Sequence, residues 1–259
     1  MKRLVVNADD FGFTTDVNEG IVEAHQRGIL TSTTLMANGA AFDDAVHLAA
    51  QNSTLDVGCH LVLIGGRSAL PPHKPLPASV PRLLAAIVSG RILIHDELAA
   101  QVRKILAAGI SPTHLDTHKH THLAPPVLDA VARIAQEFAI PWVRRPFQLP
   151  FLRRRFHRVL ADRHCRTTDH FTGFRLTGRF RGPQLVQLIR ELPDGTTEFM
   201  CHPGRCRAEL RNAATRLKES REQELLALIS PEVRQALADS QVQLVNYRDL
   251  SECGKMGSS

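Results

Sequence analysis

An α/β fold of parallel strands joined by crossover helices, a barrel or a doubly wound sheet, with a metal site at the C-terminal ends of its strands, is what this sequence predicts. Three observations carry that expectation. Short apolar runs alternate with helical stretches along the whole chain, the pattern of strands joined by crossover helices. The residues able to do chemistry fall at or just past the ends of the predicted strands, and in a parallel barrel those ends share one rim. Two adjacent carboxylates, Asp9 and Asp10, follow the apolar run Leu4-Val5-Val6 where a buried strand runs out. Such a pair needs a cation, a proton or dense hydrogen bonding.

The elements follow in order. Leu4 to Val6 reads as a buried strand. Thr15 or Asp16 can cap a helix through Arg27, with Val17, Ile21 and Ala24 on one face and Gly28 as its stop. Thr33–Met36 is a second strand, Phe42–Ala50 a second helix and Val57–Val62 a third strand. Residues 65–81 carry Gly65-Gly66, Pro71-Pro72, Pro75, Pro77 and Pro81 and read as a long loop. Helices are expected at 80–89 and 95–108, the latter closed by Gly109. Thr113–Leu115 is a short strand, and Pro125-Pro126 opens a helix to about Phe138 because proline suits a first turn. Trp142-Val143 is a strand, 151–164 a very basic helix and Thr197–Met200 another strand. A long helical pattern covers Glu209–Ile229, Pro231 begins a short helix, and Val242–Val245 is the last strand.

The 259 residues, 43% hydrophobic, suffice for one sizeable core, so a single domain over 1–259 is expected. Five cysteines, an odd number without a CxxC pair, argue against a disulfide scaffold and a Cys-rich zinc site. Only three apolar residues precede Asn7, too few for a signal-peptide core, and no apolar run suggests a spanning helix. A cytoplasmic protein is the expectation. Charge is uneven: Arg144 to Gly182 holds eleven Arg against two Asp, so 146–182 reads as a basic insertion. That segment suits an anionic surface. Scarce aromatic residues and the lack of a nucleic-acid motif speak against nucleic acid as the partner.

The chemistry sits in four places. Asp10, His60 and one histidine of the row His118, His120, His122 would supply a carboxylate and two imidazoles to an ion with an open position for water. Mixed N/O sets suit Zn and its neighbours better than Mg. Asp9 beside a ligand can act as general base, and Asp116 can hold the second nitrogen of a ligand histidine. The alternation His114, Asp116, His118, His120, His122 would put all five side chains on one face of an extended segment. Arg144-Arg145 follows a predicted strand, and Arg145 is taken as the substrate or outer-shell contact. His202, in Cys201-His202-Pro203-Gly204, can pass a proton to a leaving amine.

These residues, in this order, resemble the YdjC/ChbG-type carbohydrate deacetylases. The motifs are Asn7-Ala8-Asp9-Asp10-Phe11-Gly12, Thr31-Ser32-Thr33-Thr34 with Asn38-Gly39, Gly58-Cys59-His60-Leu61, Pro112 to His120, and Cys201-His202-Pro203-Gly204. Leu61 to Arg67, Thr168 to Gly173 and Leu176 to Arg179 look most like the hopanoid-biosynthesis-associated (HpnK-like) members. The resemblance implies a distorted or incomplete (β/α) barrel with the metal site at its C-terminal rim, and hydrolysis of an N-acetyl group from an acetylated amino sugar, with release of acetate. It puts one divalent ion, Mg2+ or Zn2+, on Asp10, His60 and His118, the base on Asp9 and the acid on His202. In the HpnK-like case it implies a lipid-linked substrate and peripheral contact with the inner membrane face. A homodimer is compatible with it. Two other classes compete. A two-metal phosphoesterase would need more bridging carboxylates than this histidine-rich set offers. A non-catalytic anion-binding protein would rest on the arginines alone.

Overall fold

The structure, a computed structural model, describes residues 1–145 and 150–256. Its elements run β1 (Lys2–Phe11), α1 (Thr15–Arg27), β2 (Ser32–Leu35), α2 (Phe42–Gln51), β3 (Asp56–Leu61), α3 (Val80–Val88), α4 (Ile94–Ala107), β4 (His114–Thr117), α5 (Pro125–Glu137), β5 (Trp142–Val143), α6 (Pro150–Ala161), β6 (His170–Thr172), α7 (Gly182–Arg190), β7 (Gly195–Cys201), α8 (Ala208–Asn212), α9 (Glu219–Leu228), α10 (Pro231–Asp239), β8 (Val242–Leu244) and α11 (Tyr247–Met256). The sheet order is β5-β4-β3-β2-β1-β7-β6, every pairing is parallel, and β8 lies beside Lys2–Leu4 of β1. The sheet curls into a half-barrel, the incomplete barrel that the family resemblance implies.

Strand β1 is the axis of the design. Leu4, Val6 and Ala8 belong to the large apolar core, together with residues of the surrounding helices. Val5, on the opposite face by strand alternation, packs with Trp142, Val245, Tyr247 and Leu250. Asp56, the first residue of β3, accepts the backbone N–H of Tyr247 at 2.9 Å and of Arg248 at 3.2 Å. Helix α11 therefore begins at the N-terminal end of the strands, opposite the rim that carries the chemistry.

Four expectations change. Thr14, not Thr15 or Asp16, caps α1 by accepting the Val17 N–H at 3.2 Å, while Asp16 accepts the Leu210 N–H. The long helix over 209–229 is two helices, α8 and α9, because the chain between them turns outward to line a cavity. Strand β6 and helices α7 and α11 were not anticipated: three residues of strand, a nine-residue helix and a polar C-terminal helix carry too little periodicity. The basic segment 146–182 includes β6, which pairs with β7, so that part belongs to the sheet; residues 146–149 lie outside those described. No helix among the described residues is long and apolar enough to cross a membrane.

Candidate metal centre and active site

In a regular strand Asp9 and Asp10 would point to opposite faces. Here Ala8 stands opposite Thr33 and Phe11 opposite Leu35, so Asp9 and Asp10 together face Thr34 alone. That is a bulge. Asp10 takes φ +70°, a left-handed conformation that aspartate tolerates better than most residues. Both carboxylates consequently line the same cavity.

The register of the sheet brings the histidines to them. His60 is the penultimate residue of β3, and His118 follows β4 directly. Asp10 Oδ1 lies 3.3 Å from His60 Nε2 and 3.2 Å from His118 Nδ1, and the two ring nitrogens are 3.2 Å apart. An ion with bonds of about 2.0–2.2 Å and angles between octahedral and tetrahedral needs donor atoms about 3.0–3.5 Å apart, so this triangle has the right size. Asp10 Oδ1 is buried and aligned with no hydrogen-bond donor among the described residues. An orphaned carboxylate oxygen facing two imidazoles fits a divalent cation. A second grouping, Asp9, His60 and Asp116, also lies close together. Its donors are already committed: His60 Nδ1 donates to Asp116 Oδ1 at 2.6 Å, and Asp9 is claimed by Arg144.

Arg144 organises the floor. Its Nη1 and Nη2 donate to Asp9 at 2.7 and 2.6 Å, Nη1 also lies 2.6 Å from Asp116 Oδ2, and Nε donates to Glu198 at 2.6 Å. A guanidinium offers its donors in a planar fork suited to such multiple contacts. Burial pushes the Asp9 carboxyl up, but the charge and hydrogen bonds of Arg144 outweigh it and hold the group well below the usual carboxylate range. His114, kept neutral by burial, donates from Nε2 to Asn7 Oδ1 at 2.9 Å, and Asn7 Nδ2 donates to Asp9 Oδ1 at 3.1 Å. Asp9 is thus fixed on two sides.

His60 is fully buried, and burial alone would lower its pKa; Asp116, Asp10 and Asp9 reverse this and raise it to about 10. A divalent ion entering the triangle therefore competes with a proton on His60. Metal binding at pH 7.5 should release about one proton per ion, and affinity should grow tighter as pH rises toward 10. Calorimetry in buffers of different ionisation enthalpy reads the proton count; no proton release would contradict this arrangement.

His202, in the turn after β7, places Nε2 3.9 Å from Asp9 Oδ2, and burial lowers its pKa to about 4. Its Nδ1 has no partner among the described residues. The row of alternating histidines does not share one face, because the chain leaves β4 for a 3-10 turn over His118–Leu123. His118 alone of that row joins the triangle; His120 lines the cavity without joining it, and His122 Nδ1 lies 2.5 Å from Thr117 Oγ1. Arg144 and Arg145 are neighbours, and the chain sends Arg144 inward while Arg145 donates to the Asp169 backbone carbonyl. Two residues escaped the sequence reading. Arg221 Nη2 donates to Asp10 Oδ2 at 2.5 Å, and Glu224 accepts the backbone N–H of His202 at 2.6 Å. Both occupy the buried stripe Arg221, Glu224, Leu225, Leu228 of α9. Charges at core-facing helical positions were the available signal.

The triangle, Asp9 and His202 lie in one cavity of about 780 Å3. Lys119, Arg175, Arg179 and Arg216 also line it, and none of these four side chains makes an ion pair or hydrogen bond recorded among the described residues. Fold and site together define an α/β half-barrel protein with an Asp-His-His cluster that could hold a metal ion beside an arginine-held aspartate. Comparison with known proteins narrows this. The chain matches the YdjC-like protein family over residues 3–239 and belongs to it. It is 35% identical to a carbohydrate deacetylase of Brevibacillus brevis, covering 96% of this chain and 99% of that one. It is 36% identical to a carbohydrate deacetylase of Geobacillus stearothermophilus, covering 95% and 96%. Among solved structures, an Enterococcus faecalis protein described as a candidate cellobiose-phosphate cleavage protein superimposes with a TM-score of 0.83 at 26% identity, covering 96% of this chain and 98% of that one.

Proposed function

We propose that this chain is a metal-dependent carbohydrate deacetylase that hydrolyses the N-acetyl group of an amino sugar and releases acetate. The observation that carries the reading is the triangle of Asp10 Oδ1, His60 Nε2 and His118 Nδ1, 3.2–3.3 Å on a side, with Asp9 and His202 beside it in one cavity. A divalent ion held there supplies Lewis-acid chemistry, acidifying water and polarising the acetyl oxygen.

The protein's own groups do the rest. Asp9, ionised and clamped by Arg144, accepts the proton of the attacking water; its low basicity is sufficient because that water is acidic. His202 enters neutral. His202 Nε2 lies 3.9 Å from Asp9 Oδ2; once the two close to hydrogen-bond distance the proton taken up at Asp9 passes to His202 and on to the departing amine, so one water supplies both the hydroxyl that joins the acetyl carbon and the proton that frees nitrogen. Asp116 holds His60 in the tautomer that leaves Nε2 free for the ion.

The donor set, two imidazoles and one carboxylate, favours Zn2+ or a related transition ion over Mg2+. For the substrate we carry the reading one step further, to an amino sugar linked to a hopanoid-type lipid. The HpnK-like motifs support this, as do the cations at the cavity, since Arg175 and Arg179 of the basic segment could meet anionic headgroups while the sugar enters. Mass-spectrometric detection of acetate loss tests both levels. N-acetylglucosaminyl lipid in anionic vesicles and free chito-oligosaccharides are offered side by side, each with Zn2+ or Mg2+. Faster loss from the lipid with Zn2+ is expected. Preference for the free sugar removes the lipid assignment, and no acetate from either removes the deacetylase reading.

A further inference from the structure

His202 is held in an unusual way for a group given a proton-transfer role. A histidine acid is commonly oriented through its second ring nitrogen, yet His202 Nδ1 is buried without a partner among the described residues. What is held is its backbone, from which the ring projects toward Asp9. The His202 N–H donates to Glu224 Oε2 at 2.6 Å, and the other oxygen of the same carboxylate, Oε1, accepts the Gly178 N–H at 2.6 Å.

Glu224 has no exposed surface. An apolar side chain would pack α9 at lower cost than a buried carboxylate, whose desolvation must be offset by hydrogen bonds. What the carboxylate adds is a bridge of fixed length between two backbones that are otherwise separate. One is the turn after β7 that carries His202. The other is the segment leading to α7, where Thr177 and Arg179 line the cavity on either side of Gly178. Gly178 takes φ +71°, and a Cβ there would lie 2.9 Å from Leu217 and 3.4 Å from Ser220, so this wall already presses on the start of α9. One helical turn before Glu224, Arg221 grips Asp10. A single helix therefore touches the metal carboxylate, the histidine turn and the cavity wall.

We propose that Glu224 is the positioning residue for His202, setting its ring against the departing amine by tying the His202 and Gly178 backbones to α9. The inference rests on the reading of His202 as the proton donor. Glu224 touches no substrate itself.

The test uses leaving groups. An amide nitrogen must be protonated to depart, whereas 4-nitrophenolate leaves from 4-nitrophenyl acetate without a proton. Glu224→Gln keeps the volume and one carbonyl acceptor but turns an NH2 toward the second N–H. With the zinc-loaded enzyme, kcat on N-acetylated chito-oligosaccharide should fall about 30-fold or more, the scale of loss expected from a small misplacement of a reacting group. On the metal-dependent hydrolysis of 4-nitrophenyl acetate it should fall less than about threefold, and zinc affinity should be unchanged. Equal losses on amide and ester would reduce Glu224 to a folding residue, and no loss on the amide would remove its role. His202→Asn separates this from the reading beneath it. If that variant loses the amide selectively while Glu224→Gln does not, only the positioning role falls. If His202→Asn loses both equally, the proton-donor assignment falls and the positioning role falls with it.

Discussion

Asp9→Asn is expected to lower kcat on an acetylated amino sugar by about 10^3-fold, the order associated with loss of a general base. Metal affinity should stay within a few-fold, because the variant leaves Asp10, His60 and His118 in place. Two physical changes produce the loss. The amide cannot take a proton at neutral pH, and it presents an NH2 to an arginine fork that now receives two oxygens at 2.7 and 2.6 Å. Steady-state kinetics beside zinc calorimetry would separate the effects. Turnover within about threefold of the parent would remove Asp9 from the reaction, whereas lost metal binding would show that Asp9 acts through the ion instead.

Arg144→Met carries the largest expected effect on stability. The parent surrounds one guanidinium with Asp9, Asp116 and Glu198, all buried. Removing the cation leaves three carboxylates in the interior, and breaking a buried pair from one side costs about 3–5 kcal/mol. Arg144→Lys should recover little, since one ammonium cannot span the acceptors that the fork reaches. The pH dependence has a definite sign. In the parent, Asp9 is depressed, so its stabilising contribution is present above the ordinary aspartate pKa and fades as pH falls through the depressed value. In the variant, burial raises Asp9 against only the smaller pull of His60 and His202, and its neutral form is favoured. The stability gap between parent and variant should therefore shrink from pH 8 to pH 5. Urea unfolding at both values measures it; a loss under about 1 kcal/mol, or a gap that widens in acid, would contradict the account.

The two variants probe what the sequence could and could not display. Asp9 and Asp10 were visible because two carboxylates after a buried apolar run demand compensation. Nothing local reveals that Asp10 adopts a left-handed backbone and that a bulge turns both side chains to one rim. The histidine row misled for a related reason. Period two holds only while the chain stays extended, and it leaves β4 at His118. Arg144 and Arg145 are chemically identical neighbours, so only their different contacts tell them apart: Arg144 meets three buried carboxylates, and Arg145 donates to the Asp169 backbone carbonyl. Arg221 and Glu224 stand at core-facing positions of α9, within the long helical pattern read over Glu209–Ile229, where their charge was the clue.

By itself, then, the chain's order of apolar runs, helical stretches and metal-capable side chains dictated a parallel α/β sheet with its chemistry at the strand ends, because periodicity and residue chemistry are local properties; the curl into a half-barrel came from the family resemblance and the structure. Which nitrogen faces which oxygen, which arginine holds the aspartate and which helix braces the histidine turn were decided by tertiary structure alone. Those choices depend on strand register and on contacts between residues up to 211 positions apart, such as Arg221 with Asp10, and no window of sequence contains them.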